Sequence, residues 1–231
     1  MPNTTGTPAT WVVVGASRGI GLEYVKQLLQ AGNRVIATAR NPKASELSEV
    51  IQAHGTPDNC ILEQCDVASS ESIDAFAARM STLKLVNLNP DSPPSKLIFI
   101  SSDSGSTTNF LAYEDGFAAY AASKAALNQM LRHMAEELKR RAGKWAEICV
   151  LALHPGEVHT DMNSGEVGTW DVGTLLEPGE SVSGMLKVIN EKNHTETGTF
   201  WCWDGRASLS MVMNVSQIGC LVSNACLTRL R

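Results

Sequence analysis

The stretch WVVVGASRGIG at residues 11–21 decides the fold of this chain. Residues 11–14 are apolar and mostly β-branched, which predicts a short strand. The glycines that follow allow a tight turn and let the backbone approach a pyrophosphate. From Leu22 to Ala31, Leu and Val recur at helical spacing, and the start of such a helix presents free N–H groups to an anion. Strand, glycine turn and helix together predict a dinucleotide site, the alternative being an ordinary loop.

The rest of the chain continues this alternation of strands and helices. Patterns typical of strands occur at residues 34–40, 60–65 and 96–102, and helical patterns at residues 70–80 and 120–141. This order predicts an α/β protein of the Rossmann type, with a doubly wound parallel sheet in a three-layer α/β/α arrangement.

The 231 residues show no change of composition that would separate two domains. We expect a tail at residues 1–9, one nucleotide-binding and catalytic domain at residues 10–205, and an atypical extension at residues 206–231. In the extension, apolar residues recur at helical spacing from Met211 to Ala225, but Ser, Asn and Gly interrupt them. A helix that covers the sheet or an oligomer interface and a poorly ordered tail are both open interpretations.

The middle of the chain carries residues suited to acid–base chemistry. The strand at residues 96–102 ends in two serines, and Tyr120 and Lys124 follow at i and i+4 of a helix. That spacing places the phenol and the ammonium group on one helix face, where the positive charge favours the phenolate. Such a tyrosine can protonate a nascent alkoxide, while Ser102 hydrogen-bonds the substrate carbonyl. Alone, a Tyr-x-x-x-Lys pattern more often marks a solvated helix face.

Two arginines bear on the choice of cofactor. An acidic residue at the end of the second strand favours a cofactor without a 2′-phosphate, but here Arg40 takes that position. Arg18 lies in the glycine turn, and two guanidinium groups can hold a phosphate. The sequence therefore favours NADP, the alternative being that both are solvated surface arginines.

Three motifs, taken in order, resemble the short-chain dehydrogenase/reductase family of the classical type. They are VVVGASRGIG, the pair of Ser102 with YAASKAALN at residues 120–128, and HPGEVHTDM at residues 154–162. The last two are most similar to small carbonyl reductases of the C-factor and sniffer type and to fungal ketoreductases. Ser102 rather than Ser101 begins the Ser-x-x-Gly of the family. The longer loop before Tyr120 brings Phe110 and Tyr113 either to the substrate pocket or to solvent.

The resemblance implies an NADP(H)-dependent oxidoreductase that transfers a hydride between nicotinamide and a carbonyl or alcohol substrate. It implies that Ser102, Tyr120 and Lys124 are catalytic, with Tyr120 as the general acid. It also implies cofactor contacts from Gly15, Ser17, Arg18, Gly19, Ile20, Gly21, Arg40, Asp66, Val67, Tyr120, Lys124, Pro155, Gly156, Val158 and Thr160. For Asp66, a turn aspartate that caps the following helix is the alternative.

The chain departs from the family in its central region. The family's Asn-Asn-Ala-Gly strand end and its catalytic asparagine are absent, and only 35 residues separate Asp66 from Ser102. The one strand candidate between them, residues 83–88, is followed by seven residues with three prolines. A parallel crossover needs a dozen residues or more, so we expect a shortened central sheet. A non-catalytic nucleotide-binding or interaction protein derived from a shortened member of the family is therefore the alternative function.

Composition narrows the partners. The net charge of -5 argues against nucleic acid, and the absence of a long apolar run argues against a membrane and, with no signal peptide, favours the cytoplasm. The histidines lack ligand spacing, so the sequence predicts no metal. We expect a small-molecule carbonyl or alcohol substrate. The resemblance adds a homodimer or homotetramer formed through the helix that bears Tyr120.

Overall fold

The computed structural model describes residues 8–43, 45–82, 93–108, 117–161 and 175–208. Within them, strands and helices alternate as the sequence predicts. The strands are β1 (Thr10–Val14), β2 (Arg34–Ala39), β3 (Cys60–Gln64), β4 (Lys96–Ile100), β5 (Cys149–His154) and β6 (Thr199–Cys202). The helices are α1 (Gly19–Gln30), α2 (Ser45–His54), α3 (Ser70–Thr82), α4 (Ala118–Lys139) and α5 (Pro178–Glu191). In this part of the chain, no helix is long and apolar enough to cross a bilayer.

The strands form two parallel three-stranded sheets, with the orders β1-β2-β3 and β4-β5-β6. In the first sheet Val12 pairs with Ile36, and Ile36 pairs with Ile61. In the second, Ile98 pairs with Leu151, and Leu151 pairs with Thr199. Parallel strands of this kind are joined by helices, which cover both sheet faces.

Two apolar clusters place the helices on opposite faces. One cluster joins α1 and α5 to strands of both sheets and includes Val25, Val35, Leu153 and Met185, each buried. The other joins α4 to the second sheet and includes Leu131, Val150 and Phe200. The result is the predicted α/β/α arrangement, in which α1 and α5 connect the two halves of the sheet.

The strand pairing leaves β1 and β4 with one described neighbour each. Among the described residues, β1 pairs only with β2, and β4 pairs only with β5. Val12 and Val14 of β1 are 42% and 55% exposed, although β2 beside them is almost wholly buried. The candidate strand at residues 83–88 lies outside the described residues, so the expected shortening of the central sheet stays a prediction.

The predicted extension is described only at its beginning. After β6 the chain turns at Gly205, and Ala207 forms an antiparallel bridge with Trp201. Ser208 then donates its backbone N–H to the carbonyl of Phe200 at 2.9 Å. The apolar positions from Met211 to Ala225 lie outside the described residues.

Candidate active site

The glycine turn forms a tight cradle between β1 and α1. Gly15 has a φ of +82°, a conformation that residues with a side chain rarely adopt. A Cβ placed on Gly21 would lie 2.2 Å from the carbonyl oxygen of Gly15, so the close approach of helix and turn requires glycine there. The N–H of Ala16 donates to the carbonyl of Thr38 at 2.8 Å and ties the turn to β2. The backbone is thus shaped to admit a phosphate at the start of α1.

The first turn of α1 faces the loop that follows β5. A Cβ on Gly19 would contact the Thr160 side chain at 3.6 Å, and Arg18 forms an exposed ion pair with Asp161 at 3.5 Å. A cavity of about 380 Å³ lies beside this contact. Its lining includes Arg18, Gly19 and Thr160, and the remaining lining comes largely from the outer side of α1 and from α2. The catalytic candidates Ser102, Tyr120 and Lys124 do not line this cavity.

The other predicted adenine-side residues stand at strand ends. Arg40 follows β2 and is exposed, and its backbone carbonyl accepts a hydrogen bond from Gln64 at 3.2 Å. Asp66 accepts the N–H of Ala68 at 3.0 Å and so forms a turn. At the start of α3, the N–H of Ser72 is accepted by the Ser69 hydroxyl at 3.2 Å rather than by Asp66.

Ser102 lies just beyond β4, at the start of a 3-10 turn formed by Asp103–Gly105. Its hydroxyl oxygen accepts the N–H of Ser104 at 3.2 Å and lies 3.3 Å from the carboxylate of Asp103. A Cβ on Gly105 would lie 2.7 Å from the backbone of Lys124, so this turn packs directly on α4. In contrast, the Ser101 hydroxyl donates to the buried Asn128 amide at 2.6 Å. The Ser101 side chain is thus bonded to α4 in the core, whereas the Ser102 side chain is bonded within the turn that follows β4.

Tyr120 and Lys124 lie in the first two turns of α4. The Lys124 ammonium stands 5.5 Å from the centre of the Tyr120 ring, and its Nζ donates to the carbonyl of Ile100 at 3.2 Å. Burial lowers the pKa of Lys124. Tyr120 is 37% exposed, so its ring reaches the surface of the site. The structure therefore places an ammonium group beside the phenol at the carboxyl end of β4.

The Pro-Gly loop after β5 is held in a defined shape. Gly156 has a φ of +79°, and a Cβ there would lie 2.5 Å from the Leu176 side chain. Ser181 donates to the carbonyl of Pro155 at 2.6 Å, and Val158 forms a parallel bridge with Leu176. The residues of this loop that the resemblance implies as cofactor contacts therefore lie at the same edge of the sheet as the glycine turn. They are Pro155, Gly156, Val158 and Thr160.

The structure thus brings the predicted residues to the carboxyl edge of both sheets, as expected for an open α/β fold. Phe110 and Tyr113 lie outside the described residues. The sequence interpretation missed Asp161 as the partner of Arg18, and it missed the cluster of Asp103, His154 and Glu157 beside Ser102. These residues stand at or shortly after the ends of β4 and β5. That position was the signal available in the sequence, because the carboxyl ends of parallel strands meet at one edge of a sheet.

The motifs and the fold agree with a known family. The family model described as short chain dehydrogenase matches residues 9–88 and 80–169. The chain belongs to the short-chain dehydrogenase family. The two matched segments overlap at residues 80–88.

Known proteins similar to this short-chain dehydrogenase include oxidoreductases and carbonyl reductases. An uncharacterized oxidoreductase of Schizosaccharomyces pombe is 30% identical over 257 aligned positions, which cover 86% of this chain and 97% of that protein. The alignment includes 86% of the 231 residues of this chain, so about a fifth of its 257 positions are gaps in this chain. Carbonyl reductase family member 4 of Danio rerio is 28% identical, with 87% and 98% of the two chains covered.

Solved structures support the fold of this short-chain dehydrogenase. A carbonyl reductase from chicken fatty liver, crystallised with NADPH bound, is 26% identical and has a TM-score of 0.68, with 87% of this chain and 97% of that chain covered. A carbonyl reductase from Pseudomonas aeruginosa has a TM-score of 0.67 at 20% identity, with 86% and 98% covered. The second likeness bears on the fold alone.

Proposed function

We propose that this short-chain dehydrogenase is an NADP(H)-dependent carbonyl reductase that acts on a ketone or an aldehyde. The observation that carries the proposal is the convergence of Ser102, Tyr120 and Lys124 at the carboxyl end of β4. The turn that begins with Ser102 packs on the backbone of Lys124, whose ammonium stands beside the Tyr120 ring. The chicken carbonyl reductase, similar over most of its length, was crystallised with NADPH.

The residues present fit the nucleotide. The glycine turn approaches α1 so closely that a Cβ on Gly21 would meet the Gly15 carbonyl oxygen. The N-terminus of α1 next to this turn has no side-chain cap. Backbone N–H groups at a helix start favour an anion such as a pyrophosphate. Arg18 and Arg40 are both exposed and cationic, so they can pair with the additional phosphate of NADP(H). The bound nucleotide would supply or accept the hydride.

Each catalytic residue has one task in this proposal. Tyr120 donates its phenolic proton to the oxygen that develops negative charge during reduction. Lys124 places a positive charge beside the phenol, which stabilises the phenolate that remains, and holds the nicotinamide ribose. The Ser102 hydroxyl donates to the substrate carbonyl and fixes its orientation.

The direct test has two readouts. Saturating NADPH should raise the thermal midpoint of the purified chain, because a ligand that binds only the folded state stabilises it by about 2.7 kcal/mol at 100 times its Kd. NADPH oxidation should then occur with at least one member of a panel of aliphatic and aromatic ketones and aldehydes. No shift with either NADPH or NADH would overturn the assignment of the nucleotide site.

The cofactor preference gives a sharper prediction. Arg40→Ala should weaken NADPH binding by about tenfold or more and leave NADH binding unchanged, because a charged hydrogen bond to the 2′-phosphate contributes about 1.5–3 kcal/mol. Arg34→Ala is the matched control, since Arg34 is an exposed arginine at the opposite end of β2. Titration calorimetry with both nucleotides measures the effect. Equal losses for NADPH and NADH would contradict a contact with the 2′-phosphate.

The short central stretch of the sequence favours a second candidate. Only 35 residues separate Asp66 from Ser102, and the Asn-Asn-Ala-Gly segment of the family is absent between them. Such a chain could bind the nucleotide without turnover and act as a nucleotide-binding or interaction protein. A rise in the thermal midpoint with NADPH, together with no NADPH oxidation across the whole panel, would support this candidate.

A further inference from the structure

A second group of polar side chains lies beside the proposed catalytic site. Asp103 begins the 3-10 turn after β4, His154 ends β5, and Glu157 follows the Pro-Gly turn. One donor atom from each of the three side chains lies within 4.8 Å of the other two. Asp103 and Glu157 are half-buried, and His154 is only 8% exposed. The proposed acid–base chemistry uses none of the three.

We propose that Asp103, His154 and Glu157 bind a divalent cation of the Zn²⁺ type. Bonds of about 2.0–2.2 Å place tetrahedral ligands roughly 3.4 Å apart. The Nδ1 of His154 and the Oδ1 of Asp103 are already separated by 3.4 Å. The Glu157 carboxylate, with an oxygen within 4.8 Å of both atoms, supplies the third ligand. One imidazole nitrogen and two carboxylates suit a borderline cation better than Mg²⁺ or Ca²⁺, which prefer oxygen ligands alone.

The existing hydrogen bond leaves the imidazole nitrogen weakly satisfied. The backbone N–H of Asp103 points to Nδ1 of His154 at 3.4 Å, beyond the usual range of about 2.7–3.2 Å. Buried polar atoms generally have closer partners. The Nδ1 lone pair thus faces Asp103 with only a long contact, which a metal bond would replace.

The backbone around the three ligands is already ordered. The carbonyl of Glu157 accepts the N–H of Leu176 at 2.7 Å, and Ser181 holds the carbonyl of Pro155. The turn that carries Asp103 is closed by the N–H of Ser106, which donates to the Asp103 carbonyl at 2.7 Å. A site built on fixed backbone loses little conformational entropy when it binds an ion.

The test measures Zn²⁺ and Co²⁺ binding to the chelator-treated full chain by titration calorimetry and, for Co²⁺, by absorption. We expect one site, no comparable binding of Mg²⁺, and a Co²⁺ spectrum without thiolate charge-transfer bands, because none of the ligands is a cysteine. Asp103→Asn and Glu157→Gln should each weaken binding by about tenfold or more. His154 is not replaced first, because it is only 8% exposed and its replacement would also disturb the packing around it.

Two controls keep the result interpretable. Glu180→Gln and His133→Gln remove an exposed carboxylate and an exposed imidazole elsewhere, and both should bind as the unaltered chain does. The thermal midpoint of each variant shows whether it folds. The proposal is overturned if the unaltered chain binds neither ion, if Asp103→Asn and Glu157→Gln bind normally, or if thiolate bands appear. Since calorimetry needs neither NADPH nor a carbonyl, the result is independent of the proposed reductase activity.

Discussion

Replacing Tyr120 with Phe should lower kcat for NADPH-dependent carbonyl reduction by a factor of about 10² to 10⁴, the usual contribution of a positioned general acid. The change removes one hydroxyl and keeps the ring beside Lys124. Tyr120 is 37% exposed, so the loss of the hydroxyl should cost little folding stability. The rise in thermal midpoint with NADPH should therefore persist, and steady-state assays at saturating NADPH measure the loss of turnover.

Tyr24→Phe is the matched control for this experiment. The Tyr24 hydroxyl is buried in α1 and, within the described part of the chain, has no hydrogen-bond partner. Removing an unsatisfied buried hydroxyl should leave activity unchanged and be neutral or slightly stabilising. If Tyr120→Phe retained more than about a tenth of the activity, well short of the loss expected for a general acid, the proton would have another donor.

Replacing Gly21 with Ala should remove nucleotide binding and destabilise the fold. The new Cβ would lie 2.2 Å from the Gly15 carbonyl oxygen and 3.0 Å from its carbon. Both atoms belong to the backbone, so relief requires the glycine turn to open. Overpacking of this kind costs about 1–3 kcal/mol, and the displaced turn no longer fits a pyrophosphate. Thermal melts with and without NADPH measure both effects.

Gly179→Ala provides the comparison for this variant. Gly179 lies in the first turn of α5, and a Cβ there would meet the Glu23 carboxylate at 3.5 Å, an ordinary contact. This variant should be as stable as the unaltered chain, or slightly more stable, and should keep the full response to NADPH. A normal thermal midpoint and a normal NADPH shift for Gly21→Ala would show that the turn adjusts at low cost.

Most elements could be predicted because their patterns are local. Residue patterns placed β1, β2, β3 and β4 near their observed positions, whereas β5 and β6 were not predicted in this way. α1 begins at Gly19, three residues before the predicted start at Leu22. The first helical residues include two glycines, which are typical of loops, so the sequence pattern does not show that the helix begins there. The strand predicted at residues 96–102 ends at Ile100. The backbone N–H of Ser101 donates to the Leu153 carbonyl in the last hydrogen bond between the two neighbouring chain segments, and the 3-10 turn follows.

The catalytic candidates could also be named from sequence, because Ser102, Tyr120 and Lys124 belong to motifs with fixed spacing. The cluster of Asp103, His154 and Glu157 could not, because Asp103 is 51 residues from His154 along the chain. Only the pairing of β4 with β5 brings the two together. The prediction of no metal site rested on the spacing of possible ligands along the sequence. Such spacing cannot detect residues that the pairing of strands brings together.

The described strand pairing has a consequence for hydrogen exchange of the backbone amides. β2 and β5 are each hydrogen-bonded to strands on both sides. In the native state, their amides should therefore exchange most slowly. Mass spectrometry of exchanged fragments would show two slow regions, at residues 34–39 and 149–154.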